Sequence, residues 1–319
     1  MKKFLFKTLY FFLPIIIISY PFDYIVSSYL NKSNRSLGEF EVMDDIYNSK
    51  ANCDIAIYGS SRAWVHFDPK IISDSLNCKV YNFGNDGHAF DLLYLRHLEF
   101  LKHNNKPKTI ILSVDVLSFR NPTGLYEAGQ YLPYMLWNFD IERYTRSYNY
   151  YSRLEYFIPA VRYSGKRDEL KIVSEYITKG VPAEKYRHNG YLGMDLEWNG
   201  DFDRVKAKMQ AYRIKWDQER INLFDKFVNE CKEMEINLIL VYTPEYIEGQ
   251  KFVTNRKELI KLYKKFAKKY NLKFYDYSND EICFDKTLFY NAIHMNKKVA
   301  EIFTSKFSHV LKTELKIDR

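Results

Sequence analysis

Short apolar runs alternate with helical patterns through much of this chain. Residues 54–58 read as a strand followed by a helix near 69–77. Residues 79–83 read as a second strand with a helix near 90–103, and residues 108–116 form a third apolar run. The alternation resumes late. An amphipathic helix over 221–233 leads into an apolar run at 236–242, then a helix over 255–270, a run at 272–277 and a final helix from 296 to about 315. Strands alternating with helical patterns predict a parallel sheet covered on both faces. The fold class expected is α/β, a flavodoxin-like three-layer sandwich with a mainly parallel five-stranded sheet.

Between the third and fourth strands the periodicity is lost. Residues 119–205 are tyrosine-rich and punctuated by Pro and Gly, far longer than an ordinary strand-to-helix connection. The expectation is a cap inserted after the third strand, leaving the sheet at the edge where open α/β sheets bind ligands. The organisation expected is therefore residues 1–28 as a membrane anchor or signal, 29–50 as a linker, 51–118 and 206–319 as the two parts of the sheet domain, and 119–205 as the cap.

The N-terminus carries Lys2, Lys3 and Lys7, followed by an uncharged run from Thr8 to Phe22 that contains Ile15, Ile16, Ile17 and Ile18. With Lys7 snorkelling, residues 4–22 approach the length of a membrane span. The exit, Ser19-Tyr20-Pro21-Phe22-Asp23, lacks a small-x-small cleavage pattern. An uncleaved anchor is the first reading, a cleaved signal the second and a buried core helix the third. Lysines before the span place the N-terminus in the cytoplasm and the rest outside, periplasmic or at the cell surface.

Composition then narrows the function classes. At 46% hydrophobic, with 12 Gly and 9 Pro in 319 residues, the chain is a folded globular protein and not a disordered, collagenous or repeat sequence. The net charge of +8 falls to 45 basic against 40 acidic residues once the N-terminal lysines are set aside, which gives no case for nucleic acid. The basic run 257–273 carries apolar residues at helical spacing and reads as a solvated helix face. Cys53 and Cys78 precede the first two strands, so an exported chain could join them in a disulfide. Cys231 and Cys283 lack metal-ligand spacing, and no metal or organic cofactor is expected.

Three segments carry candidate chemistry. Gly59-Ser60-Ser61-Arg62 follows the first strand, where a serine on a tight turn exposes its hydroxyl at the sheet edge. Asn82-Phe83-Gly84-Asn85-Asp86-Gly87-His88 follows the second, and its glycines let backbone amides approach a ligand. Asn291-Ala292-Ile293-His294 precedes the last helix, from where a histidine can reach a serine after the first strand and act as general base. Asp115, after the third strand, is a site-edge candidate.

These blocks, in this order, resemble the SGNH/GDSL hydrolase superfamily. Gly59-Ser60-Ser61 is similar to its Gly-Asp-Ser block, Gly87 to the glycine of its second block, and Asn291-Ala292-Ile293-His294 to its Asp-x-x-His block. The resemblance covers roughly residues 50–118 and 220–315 and implies Ser61 as nucleophile, His294 as base, and the amides of Ser61 and Gly87 as oxyanion hole. It departs in two places. The third strand ends Ser113-Val114-Asp115-Val116 where the family has Gly-x-Asn-Asp, and Asn291 stands at the triad aspartate. Either Asn291 orients His294 through its amide oxygen, or Asp276 or Asp285 supplies a carboxylate, or the site is a Ser-His dyad. A Gly-Ser-Ser block with an N-terminal anchor and a large insertion looks like the exported branch that acylates or deacylates cell-envelope polymers. That implies an esterase or O-acyltransferase acting on a cell-envelope glycan or acyl donor, with partner proteins of a polysaccharide assembly system. The other class is a catalytically silent glycan-binding or assembly protein. The cap tyrosines, among them Tyr131, Tyr151, Tyr156, Tyr163 and Tyr176, serve either to stack on sugars or to fill the cap's own core.

Overall fold

The computed structural model describes residues 2–121 and 124–316. Its sheet has five strands, β1 (Ile55–Gly59), β2 (Val80–Asn82), β3 (Thr109–Ser113), β4 (Asn237–Tyr242) and β5 (Lys273–Asp276), in the order β2-β1-β3-β4-β5. Every neighbouring pair is parallel. The expected α/β sandwich with a five-stranded parallel sheet is the observed one, and its strand order is the flavodoxin-like order. Ile57, Ile111 and Ile239 stand side by side across the three central strands, and β1 and β3 are buried along their whole length. Strands covered on both faces read as continuous apolar runs, which is why these two are plain in the sequence.

One face packs under Pro69–Leu76 and Lys297–Glu314, where Phe67, Ile72, Val299, Phe303 and Phe307 close the core. The other lies under Phe90–His103, Gln218–Glu233 and Arg256–Tyr270, with the Phe224 ring 5.1 Å from Phe90 and 4.9 Å from Phe266. The chain runs from β1 outward to β2, then crosses back to β3 on the other side of β1. That reversal opens a crevice beyond the carboxyl ends of β1 and β3. After β5, an antiparallel hairpin of β6 (Phe289–Asn291) and β7 (His294–Met295) leads into the last helix. All four cysteines are free thiols, and burial pushes the Cys53 thiol up to about 12.

The chain divides into two compact units, Ile46–Pro122 with Arg187–Arg319, and Met1–Asp45 with Thr123–Tyr186. The division at 186/187 gives the sheet unit residues 187–205, which the sequence assigns to the cap. In that segment Asn189 accepts the β2 edge amide of Asn82 at 2.9 Å, so it covers a sheet edge. The supposed linker 29–50 contains the helix Glu39–Tyr47, with Phe40, Val42 and Met43 buried. A polar stretch around residues 31–38 masks so short an apolar stripe in the sequence.

In the second unit the helix Lys2–Leu30 is about 43 Å long at 1.5 Å per residue, more than the hydrocarbon thickness of about 30 Å. Phe4, Tyr10, Phe11, Phe12, Ile17 and Ile18 on it are exposed. By length and composition it can cross a membrane. Its final turns, in contrast, are packed. Val26 and Leu30 are buried, and buried Asp23 accepts a hydrogen bond from Arg162 Nε at 2.9 Å. Of the tyrosines in this unit, Tyr131, Tyr148, Tyr151, Tyr156, Tyr163 and Tyr176 are buried, so they fill the unit's own core and offer no faces for sugar stacking.

Candidate active site

Ser61 is the first residue of the helix Ser61–His66, directly beyond the carboxyl end of β1. Gly59 makes that turn possible. Its φ is +149°, and a Cβ there would lie 2.7 Å from the Ser113 carbonyl oxygen and 2.8 Å from the Ala63 Cβ. Ser60 caps the helix, accepting from the Arg62 amide at 3.4 Å and donating its own hydroxyl to Asp115 Oδ2. Asp115 is held in turn by the Leu117 amide, 2.7 Å from Oδ1. The adjacent serines are thus sorted by geometry, Ser60 toward the scaffold and Ser61 toward the crevice. Opening a helix also leaves the Ser61 N–H without an acceptor from the helix itself.

His294 arrives from the far end of the sequence on β7. Its Nε2 is 2.8 Å from Ser61 Oγ, although the two residues are 233 positions apart in sequence. The ring stacks on Tyr290, with centroids 5.2 Å apart and planes 14° apart. A small cleft of about 30 Å³ beside the pair is lined by Ser60, Ser61, Gly87, Asp115, Arg120 and Glu245, among others. Ser61, His294 and Gly87 therefore converge as the sequence suggests, and Asp115 stands at the cleft wall.

The supporting acid does not. Asn291 Oδ1 accepts the backbone amides of Ile293 and His294 at 3.1 and 3.0 Å. It closes the β6–β7 turn and does not reach the imidazole, because a short side chain one turn away satisfies nearby amides first. Asp276 accepts from the Ser278 amide at 3.1 Å and lies 3.7 Å from Lys264. Asp285 caps the turn Lys286–Leu288 through the Thr287 amide at 2.9 Å. His294 Nδ1 is buried and has no hydrogen-bond partner among the described residues. Among the described residues Ser61 and His294 form a hydrogen-bonded dyad with no carboxylate at the far side of the ring.

Beneath the dyad lies a polar cluster that the sequence does not announce. Arg62 is fully buried, donating to both oxygens of Thr243, to Oγ1 at 2.9 Å, and reaching Glu245 Oε2 at 3.3 Å. Glu245 Oε1 also accepts from Tyr242 and, at 2.9 Å, from Arg256 Nε. Both guanidinium groups stack on the Tyr242 ring, 4.7 and 4.8 Å from its centroid. His66 Nε2 accepts the Met295 amide at 3.0 Å, so neutral His66 carries its proton on Nδ1 and donates it to Thr243 Oγ1 at 2.8 Å. It thereby fixes the backbone next to His294.

Burial, and then the positive charge of Arg62, holds His294 down at about 3. Burial lowers His97 to about 3 and His66 well below the usual range. Histidines in an unfolded chain titrate near 6.5, so as pH falls below that value the unfolded state takes up protons that the folded state refuses. Stability is therefore full above pH 6.5 and falls below it, by up to about 1.4 kcal/mol per pH unit for each histidine. Urea midpoints measured from pH 7.5 to 5 should hold above 6.5 and then drop. A midpoint constant to pH 5 would contradict the buried neutral imidazoles.

No family model and no curated protein matches the chain. Among solved structures, it is similar to one given as a lipolytic protein of the G-D-S-L family from Desulfitobacterium hafniense DCB-2, at 13% identity over 81% of this chain and 99% of that one, with a TM-score of 0.38. It is likewise similar to the acetyl xylan esterase AlAXEase, at 10% identity over 82% of this chain and 99% of that one, again with a TM-score of 0.38.

Proposed function

We propose that this protein is a serine esterase of the SGNH type or an O-acyltransferase, using Ser61 as nucleophile and His294 as base. The observation that carries the reading is the 2.8 Å contact between Ser61 Oγ and His294 Nε2 beside a cleft at the sheet's crossover point. His294 takes the Ser61 proton as Oγ attacks the ester carbonyl, and the amides of Ser61 and Gly87 receive the developing oxyanion. The imidazolium then protonates the departing alcohol, leaving an acyl group on Ser61. Water or a sugar hydroxyl, deprotonated by His294, takes the acyl group in the second half. Anchoring of the exported sheet unit through residues 4–22, a cell-envelope glycan as substrate and association with a polysaccharide assembly system belong to the same proposal. Support for the anchor comes from the exposed apolar helix and the lysines in its first turns.

The second reading is a catalytically silent glycan-binding or assembly protein. It is favoured by the missing carboxylate at His294 Nδ1, since a serine triad without its aspartate loses about 10⁴ in kcat. Full-length protein in non-ionic detergent, treated with a fluorophosphonate, is expected to gain one adduct that peptide mass spectrometry maps to Ser61. Turnover of a short-chain nitrophenyl ester should fall in parallel. A folded protein with neither adduct nor turnover would favour the silent reading, and an adduct elsewhere would remove Ser61 as nucleophile. The labelling rate should show no inflection near pH 6.5, because His294 stays neutral well below that pH.

A further inference from the structure

A larger cleft opens beside the Ser61 site. It has a volume of about 620 Å³ and is lined by Leu117, Arg120, Tyr212, Arg213, Lys215 and Trp216, among others. Leu117 and Arg120 line both clefts, so the two share a wall. The size is that of a small-molecule site.

Its charges do not cancel. Arg213 is neutralised by Glu258, with contacts of 2.9 and 2.7 Å, and Asp217 by Arg220 at 2.6 Å. Arg120 donates Nη2 to the Gly87 carbonyl at 3.2 Å, but among the described residues neither it nor Lys215 has a carboxylate partner. Arg120 Nε and Trp216 Nε1 are both buried donors without an acceptor among the described residues. A buried N–H left unsatisfied is costly, and most such groups find a partner. Here two stand on paired backbone, since Arg120 and Trp216 form an antiparallel bridge. What both lack is an acceptor.

We propose that this cleft binds the sugar portion of the substrate through an anionic oxygen group, a carboxylate or a phosphate, placed on Arg120 with Lys215 nearby. Arginine's planar fork suits either oxyanion. The shared wall sets the ester carbonyl at Ser61 while the charged group occupies the larger cleft. This rests on the ester-processing reading of Ser61, and it adds that the sugar is acidic.

Binding can be read without turnover in the full-length Ser61→Ala protein in non-ionic detergent, by calorimetry. The probes are trigalacturonate, its methyl ester as neutral control, glucose 6-phosphate and glucose. Trigalacturonate or glucose 6-phosphate is expected to bind, weakening with salt, and whichever binds identifies the source of the oxyanion; the neutral partners should bind at least tenfold more weakly. Because charged hydrogen bonds are strong, Arg120→Gln should cost roughly tenfold or more in affinity and Lys215→Gln less, with Arg120→Lys in between. Equal binding of charged and neutral probes, or affinity indifferent to both substitutions, would overturn the proposal. Fluorophosphonate labelling of the protein with Ser61 intact tests the underlying reading separately. Charge-selective binding without labelling keeps the anion site and removes the ester chemistry, and labelling without charge selectivity does the reverse.

Discussion

Replacing Ser61 with alanine is expected to abolish fluorophosphonate labelling and to lower ester turnover by roughly a thousandfold or more, while Ser60→Ala keeps the label. The two serines are neighbours of identical chemistry, so the contrast tests geometry alone. Ser61 Oγ lies 2.8 Å from an imidazole nitrogen that burial and Arg62 keep neutral, so its lone pair is free to accept the proton although the imidazolium is disfavoured. Ser60 Oγ is engaged with Asp115 and with the helix amide of Arg62. Losing it removes a helix cap, which costs about 1 kcal/mol of stability, and loosens the turn without removing the Ser61 hydroxyl. Comparable losses of label in both variants, with both folded, would mean that the turn and not the hydroxyl sets reactivity. Labelling and turnover that survive in Ser61→Ala would end the assignment.

How the site was legible differs residue by residue. Ser61 and Gly87 follow β1 and β2 and His294 lies on the last hairpin, and the order of strands brings those segments to one edge. β1 and β3 are apolar end to end because both faces are covered, and the helix Phe90–His103 has the bounds the sequence suggests. What failed was the step from position to contact. Asn291 holds the place of a triad acid in the sequence string, yet its amide oxygen is consumed by the two amides of its own turn. A motif fixes where a residue sits along the chain, and competition among nearby donors fixes what it touches. The helix Glu39–Tyr47 was hidden for a different reason. It is only nine residues long and follows a polar stretch, too short for a periodicity to stand out.

The polar cluster under the dyad was invisible because its members are far apart in sequence. Arg62 and Glu245 are separated by 183 positions, and each follows a strand where polar residues are expected in any case. Only the sheet, which sets β1 and β4 on either side of β3, brings them together. The same arrangement explains the depressed His294, since burial is joined by the charge of Arg62, which lies in the Ser61 turn and disfavours imidazolium. Glu245 offsets that charge at the cost of burying three ionic groups.

Glu245→Gln is therefore expected to be among the most damaging single substitutions, lowering stability by about 3–5 kcal/mol because it leaves buried charge uncompensated. The shape is kept and only the charge removed. Arg62 and Arg256 then both remain over the Tyr242 ring, 4.7 and 4.8 Å from its centroid, without the carboxylate that joined them. Arg62 cannot turn to water, since it is 2% exposed and held by both oxygens of Thr243. Arg256 sits nearer the edge of the cluster. Removing that second charge in Glu245→Gln/Arg256→Met should recover part of the loss, giving a favourable coupling in a double-mutant cycle read from urea midpoints. The surviving fraction of Glu245→Gln should also label more slowly with fluorophosphonate, because Arg62, no longer offset, opposes the proton transfer to His294 more strongly. A stability loss under about 1 kcal/mol, in the range of an exposed ion pair, would mean that the cluster is solvated and that Arg62 does not set the field at the dyad.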